Sequence, residues 1–486
     1  MILCNNGHSF NYETEKLCRL FFPFEKIKIT NEEECDSKIA ITSVSKNECF
    51  ASLQINGEKT EFSQAVPQNA SQKEVELCVA TALFKCLTEL TGYFPKWGLL
   101  TGVRPAKLFA KLCGDIGETK AEEYFLNKLF VSKEKISLCK ESHKQEEKII
   151  SLNTDDSFSL YVSVPFCPTR CSYCSFVSHS VEKAGKLIDN YVPLLCKEIA
   201  ETAKYAKNNK LKLKTVYIGG GTPTTLSAQQ LDTVIKCIKE NFDFSTVLEF
   251  TVEAGRPDTV TAEKLQALKN HGVSRISINP QTLNNDVLRE IGRAHTKEQF
   301  INAFNLAREI GFNNINTDLI AGLPSDTFES FNNTLTEILK LSPESVTVHS
   351  LAFKRSSEIS QKNDTELAKS FGEADAFVSL ARTRLAENKI LPYYMYRQSK
   401  TVGNLENVGY SKPGFECLYN VYIMDETHTI LGCGASAVTK LRQPKGNYIE
   451  RIFNYKYPYE YISNFEEILN RKNGINEFYK HYGRNL

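Results

Sequence analysis

The chain has 486 residues, 41% hydrophobic, 24% charged and 10% aromatic, which excludes a disordered or fibrous polypeptide and suits a globular protein of two or more domains. Fifty-nine lysines and arginines stand against 58 aspartates and glutamates, and a net charge of +1 excludes the basic footprint of a nucleic-acid or anionic-membrane binder. No run of about 18 apolar residues is present, which excludes a membrane-spanning helix.

In chain order, the N-terminal stretch MILCNNGHSFNYETEK has neither a basic leader with an apolar core nor a lipidation signal, so a cytoplasmic protein is expected. Fifteen cysteines in such a chain are expected as free thiols. Cys18, Cys49, Cys86 and Cys237 are among twelve scattered ones that read as small buried hydrophobes. KIAITSV (Lys38–Val44) and ECFASLQI (Glu48–Ile55) predict a strand pair, Lys73–Leu90 a helix, and GLLTGVRPAKLF (Gly98–Phe109) a turn into another helix opened by Pro105. The charged run Lys140–Lys148 predicts a helical bridge. Residues 1–150 are thus expected to form an α+β extension, whose role the sequence leaves unassigned.

From Leu160 the pattern changes to alternation. Strands are predicted at Tyr161–Val164, Val216–Gly220, Leu248–Glu253, Arg275–Asn279, Ile315–Ile320 and Ser345–Leu351. Helices are predicted near Ala184–Lys207, Ala228–Asn241, Ala262–Asn270, Lys297–Ile310, Thr327–Leu341 and Glu366–Asn388. The most basic run, Ala203–Lys214, reads as the end of a helix entering a strand. Six strand-then-helix units predict a parallel sheet with right-handed crossovers, either open and doubly wound or closed into a barrel, over residues 151–390. Residues 391–486 follow as PYYMYRQ, a glycine-rich turn region and a short tail.

Within this array, CPTRCSYCSF places Cys167, Cys171 and Cys174 in one loop after the first strand. Thiolates at such spacing ligate an iron–sulfur cluster or zinc, and His179 lies where it could complete a Cys₃His zinc site. In a parallel α/β array the active site gathers at the carboxyl ends of the strands. The cysteine loop, GGGTP (Gly219–Pro223), Glu253, Gln281 and Asp318 all fall there, with Arg293 twelve residues beyond Gln281. Each polar residue alone reads more readily as a satisfied core or capping group, and it is their gathering at one end of successive strands that points to a site.

The run YVSVPFCPTRCSYCSF, with GGGTPT, EAGRPD, INPQT, IGRAH, NTDLIAGLP and LGCGASAVT, resembles the radical S-adenosylmethionine (SAM) superfamily, and within it the oxygen-independent coproporphyrinogen III oxidases. LLTGVRPAKLF and YYMYRQ…GNLENVGYSKPG extend the resemblance to the branch called coproporphyrinogen dehydrogenase HemZ. The resemblance implies an α/β fold: a partial TIM-like (β/α)6 barrel with the N-terminal α+β extension and a short C-terminal region that completes the SAM and substrate site. It implies a [4Fe–4S] cluster on Cys167, Cys171 and Cys174, with the open fourth iron chelated by SAM. Tyr161, Gly220, Glu253 and Val438 match positions contacting the first SAM. Tyr173, Gly221, Thr222, Gln281, Arg293, Asp318 and Ala352 match positions that hold a second.

The implied reaction is the oxidative decarboxylation of coproporphyrinogen III propionates to vinyl groups, giving protoporphyrinogen IX, by a 5′-deoxyadenosyl radical. A tetrapyrrole substrate, a reducing flavodoxin or ferredoxin and an electron acceptor are the implied partners, and the oligomeric state is not implied. Arg104, Arg293 and Arg397 are candidates to grip propionates. Phe176 replaces a cysteine found two residues past the third ligand in the best-known oxidases, as it does in the related heme chaperones. Most of the additional chain lies on the N-terminal side. Heme delivery and radical-driven heme opening with methylation therefore stand beside the oxidase reading.

Overall fold

The structure, a computed structural model, describes residues 1–30, 36–174, 179–353, 364–398 and 400–483, with backbone only for 364–373. Phe176 lies outside the described residues. The chain divides into two compact units, Met1–Lys140 with Arg397–Leu405, and Glu141–Tyr396 with Glu406–Leu486.

The first unit holds β1 (Ile2–Asn6), β2 (Lys28–Thr30), β3 (Lys38–Val44), β4 (Glu48–Ile55) and β5 (Glu58–Ala65) in one sheet of order β2-β1-β3-β4-β5. The predicted pair β3 and β4 is there, antiparallel, joined by β5 and by the parallel β1. Helix Gln72–Thr91 opens with a capping box, Ser71 and Glu74 exchanging side-chain and backbone hydrogen bonds, and ends at Gly92 in the left-handed region. Its Ala82, Leu83, Phe84, Cys86 and Leu87 share a core with Leu3, Leu17, Cys18, Ala40, Ala51 and Leu53. Cys18, Cys49 and Cys86 are fully buried, as the sequence predicts. Arg397 donates to Leu100 O at 2.6 Å and its guanidinium lies 5.3 Å from the centre of the buried Trp97 ring, so its charge is engaged within this unit.

The second unit is built on β6 (Ser157–Val164), the short pair β7 (Phe166–Cys167) and β8 (His179–Ser180), β9 (Lys212–Gly220), β10 (Glu249–Glu253), β11 (Arg275–Ser277), β12 (Ile315–Ala321), β13 (Ser345–Ser350), β14 (Leu391–Arg397), β15 (Glu406–Ser411), β16 (Thr429–Cys433), β17 (Val438–Arg442) and β18 (Ile449–Phe453). Its large sheet runs β14-β15-β13-β12-β11-β10-β9-β6-β16-β17-β18. The six strands β6, β9, β10, β11, β12 and β13 are mutually parallel, each followed by its helix: Ile188–Asn208, Ala228–Asn241, Ala262–Asn270, Lys297–Glu309, Phe328–Leu341 and Asp364–Glu387. The sheet ends on different strands at its two sides, so this is the partial, open (β/α)6 barrel rather than a closed one. Ser227, Thr261, Thr296 and Thr327 cap four of the helices with side-chain oxygens, which fixes where each helix leaves its loop.

Alternation along each strand sorts its residues to two faces. In β6 the apolar Leu160, Val162 and Val164 are fully buried, and Tyr161 points the other way, its ring stacked 6.3 Å from Tyr217 of β9. The C-terminal residues are more ordered than a turn region and tail. β16 pairs parallel with β6, and β17 and β18 continue the sheet antiparallel. Helix Leu418–Asp425 is held by Glu249, which accepts from Leu418 N at 2.7 Å and Tyr419 N at 3.4 Å, so a carboxylate meets the helix N-terminus. That contact carries Tyr419 onto Tyr217, with ring centres 4.5 Å apart. Cys237 differs from its predicted burial. It is half-buried, and its thiol donates to Cys196 O at 3.4 Å.

Candidate functional site

The cysteine loop leaves the carboxyl end of β6 and closes on itself, because Phe166 and Cys167 pair with His179 and Ser180. Inside it, Cys174 N donates to Cys171 O at 3.0 Å, a tight turn that sets two thiols close along the chain. Ser172 N donates to Ile291 O at 3.0 Å and Thr169 Oγ1 to Gly292 O at 3.0 Å, which ties the loop to the segment bearing Arg293. Cys171 is buried, and Cys167 and Cys174 are half-buried.

The glycine run after β9 is a packing requirement. Gly220 has φ +110°, and a Cβ there would lie 2.8 Å from Ser163 Oγ. At Gly221 a Cβ would come within 2.6 Å of Phe166 O and 3.0 Å of Cys167 Sγ, so only glycine lets this turn lie under the first candidate ligand. The next residue, Thr222, donates its N–H to Phe166 O at 2.7 Å and its hydroxyl to Cys167 Sγ at 3.5 Å.

The remaining predicted residues line the same rim. Glu253 ends β10, and its carboxylate accepts from Tyr217 OH at 2.6 Å. Burial, helped by the charge of Asp318, raises it to about 7, against the pull of the Tyr217 hydrogen bond and of Arg275 and His349. Asp318 sits in β12 with Asn316 Nδ2 at 2.7 Å and His349 Nε2 at 3.8 Å. Burial pushes its carboxyl up, but hydrogen bonds from His349 and Asn316 outweigh that and hold it low. Gln281 adopts φ +69° and bridges to Leu319, a left-handed conformation that presses its backbone against β12. Arg293 is buried and donates to Asn279 O at 2.8 Å, and its Nε has no partner among the described residues. Tyr173 lies beside it, its phenol raised by burial against the opposing charge of Arg293.

Ala352 lies two residues past β13. Val438 opens β17, directly after the turn that follows the parallel β16, which brings it to the same rim as the ends of β6 and β9 through β13. The preceding turn is anchored from below. Glu198 accepts from Gly434 N at 2.7 Å, Asn454 Nδ2 at 2.7 Å and Tyr461 OH at 2.7 Å, and pairs with Lys472 at 3.0 Å, all of it buried.

Sequence reasoning quoted EAGRPD, but gave no role to two of its residues. Arg256 is buried, forks onto Asp258 at 3.0 and 3.1 Å, and donates to Cys171 Sγ at 3.6 Å. His349 and Tyr419 also escaped it. A histidine inside an apolar strand pattern and a tyrosine in an apolar helix carry no local signal.

The donor set suits a cluster. A buried guanidinium and a buried hydroxyl aimed at sulfur are the kind of donors that the sulfur ligands of a cluster accept. Among the described residues no three His, Cys, Asp or Glu side chains converge on one metal ion. Three thiolates around a four-iron cluster stand further apart than around one ion.

Comparison with known proteins gives the following. The radical SAM superfamily model matches residues 161–338. The oxygen-independent coproporphyrinogen-III oxidase-like protein HemZ of Bacillus subtilis (strain 168) is 37% identical over 415 residues, covering 85% of this chain and 83% of its own. The heme chaperone HemW of the same organism is 32% identical over 353 residues, covering 68% of this chain and 88% of its own. The solved structure of coproporphyrinogen III oxidase (HemN) from Escherichia coli overlaps 67% of this chain and 72% of its own, with TM-score 0.47 and 23% identity.

Proposed function

The chain belongs to the radical SAM superfamily and to its oxygen-independent coproporphyrinogen III oxidase-like family, and from that premise we propose that it oxidatively decarboxylates the propionates of coproporphyrinogen III. The family's cofactors are a [4Fe–4S] cluster and SAM. When bound they supply a 5′-deoxyadenosyl radical that takes a hydrogen atom from substrate. A propionate side chain that loses this hydrogen, carbon dioxide and one electron to an acceptor becomes a vinyl group. Two such conversions lead to protoporphyrinogen IX.

The observation that carries this reading is the gathering of the cysteine loop, Gly220–Thr222, Glu253, Gln281, Arg293, Asp318, Ala352 and Val438 at one rim of the barrel. In this reading Cys167, Cys171 and Cys174 hold the cluster. Glu253 accepts hydrogen bonds from ribose hydroxyls of SAM, and Tyr161 closes that site from the barrel interior. Arg293 offers its unpartnered Nε to a carboxylate. Tyr173, Thr222, Gln281, Asp318 and Ala352 line the side where a second SAM would lie. The stacked Tyr161, Tyr217 and Tyr419 form an aromatic wall beside Glu253, to which Tyr217 donates, and limit the approach of water to it.

Heme delivery is the second reading, favoured by the 88% of HemW that the chain covers. One anaerobic assay separates them. Reconstituted protein is given SAM, a strong reductant and coproporphyrinogen III, and nucleosides and tetrapyrroles are followed by mass spectrometry. The oxidase reading expects 5′-deoxyadenosine together with tetrapyrroles carrying one and then two vinyl groups. Deoxyadenosine with unchanged tetrapyrrole rejects the substrate. An intact cluster that yields no deoxyadenosine, in a protein that retains heme, supports delivery.

A further inference from the structure

The candidate cluster thiols of Cys171 and Cys167 each receive a side-chain hydrogen bond, from quite different donors. On Cys171 the donor is Arg256 Nη1 at 3.6 Å, and on Cys167 it is Thr222 Oγ1 at 3.5 Å. Arg256 is 3% exposed and Thr222 2% exposed, so water does not compete for either.

The guanidinium has little freedom. Its Nε and Nη2 fork onto Asp258 at 3.0 and 3.1 Å, and Nη1 and Nη2 both reach Thr169 Oγ1, at 3.2 and 3.1 Å. The other Nη1 hydrogen is shared between Cys171 Sγ at 3.6 Å and Thr169 O at 3.5 Å. Burial pushes the Asp258 carboxyl up, but Arg256 outweighs it and keeps the carboxyl low, so the pair stays ionised. Asp258 therefore offsets much of the arginine's charge and leaves a directed N–H···S bond as the main influence on the sulfur. Thr222 is similarly fixed, its N–H on Phe166 O and its carbonyl accepting from Thr225.

A [4Fe–4S]²⁺ core on three thiolates has a net charge of −1. Taking one electron from a low-potential donor makes it −2, and part of the added charge resides on sulfur. Donors on sulfur therefore stabilise the reduced state more than the oxidised one. We propose that Arg256, seconded by Thr222, sets the reduction potential of the cluster and so decides how readily it accepts the electron that cleaves SAM. The proposal rests on the assignment of Cys167 and Cys171 as ligands.

The test is a redox titration of reconstituted full-length protein with dithionite, without SAM, followed by electron paramagnetic resonance of the reduced cluster. Iron and sulfide are counted for each protein. For Arg256→Gln the midpoint is expected to move negative, with the ratio of reduced to oxidised cluster falling about tenfold at the wild-type midpoint. Thr222→Val keeps shape and removes the hydroxyl, and is expected to shift the same way by less. A full cluster with an unchanged midpoint in both variants overturns the proposal. If Arg256→Gln cannot hold a cluster, Thr222→Val decides alone, and an unchanged midpoint there overturns it. Cys171→Ser that keeps the wild-type signal overturns the ligand assignment itself, whatever the midpoints.

Discussion

At the scale of single residues, the site depends on what is missing as much as on what is present. Gly221→Ala adds one carbon where Phe166 O would be 2.6 Å and Cys167 Sγ 3.0 Å away. Neither neighbour is the end of a flexible chain, so the cysteine loop must shift. The expected outcome is a folded protein that retains less than half of the wild-type iron and sulfide after reconstitution, with an unchanged far-ultraviolet circular dichroism spectrum. Wild-type iron content would contradict this account of the glycine. At this scale the sequence was legible where chemistry and spacing coincide: three cysteines in eight residues and a run of three glycines. It was silent on Arg256, because an arginine beside a proline has no pattern to announce a sulfur partner 85 residues away. Thr222 is expected beside a second SAM, and the sequence held no sign that its hydroxyl also reaches Cys167 Sγ, at 3.5 Å.

The elements of the barrel were legible for a related reason. Strands buried on both faces read as short β-branched runs, and the capping residues mark the helices that follow. Ala228–Asn241 and Ala262–Asn270 begin and end where the pattern places them, after Ser227 and Thr261. The C-terminal elements were not legible, since β16 is defined by its pairing with β6, some 270 residues earlier, and not by a strong local pattern. The device that holds them is the buried Glu198, which joins helix Ile188–Asn208 to the Gly434 turn and to Lys472 of helix Phe465–Lys472. Lys472 also donates to Gly432 O. Lys472→Met leaves a carboxylate buried without its cation, and should destabilise the second unit by about 3 kcal/mol. Adding Glu198→Gln removes that charge while its amide oxygen can still accept from Gly434 N. The double variant is therefore expected to be more stable than Lys472→Met alone, a non-additivity that urea titration of the apoprotein would read. Additive losses would mean that the pair is not coupled as the contacts indicate.

At the scale of the molecule, two buried groups in the second unit pull its stability in opposite directions with pH. His428 is 4% exposed, with Nε2 2.7 Å from Ser159 Oγ and, among the described residues, no partner on Nδ1. Burial, with Arg442 and Lys214 nearby, lowers it from 6.5 to about 3. Between those values the unfolded chain binds the extra proton, so stability is lost as pH falls from about 6.5 towards 3. Glu253 has the reverse sense. Its carboxyl is raised from 4.5 to about 7, the folded protein holds the proton, and stability is lost as pH rises from 4.5 to 7. From pH 5 to pH 7 the two contributions are each about 2 kcal/mol and nearly cancel. Single variants should expose them. In Glu253→Gln the unfolding free energy is expected to rise more steeply from pH 5 to 7 than in wild type, because the histidine acts unopposed. In His428→Gln it should fall relative to wild type over the same interval. The two pH-dependent changes should differ by up to about 4 kcal/mol, less to the extent that Glu253 is open to the barrel interior. Urea titrations of the apoprotein at the two pH values would measure this, and parallel pH slopes in the two variants would show that neither burial perturbs its group as described. In the proposed role of Glu253, a carboxyl that is half-protonated near neutrality must lose its proton to accept two ribose hydroxyls, so SAM affinity in wild type is expected to strengthen as pH rises through about 7, and binding titrations at pH 6 and 8 would check this.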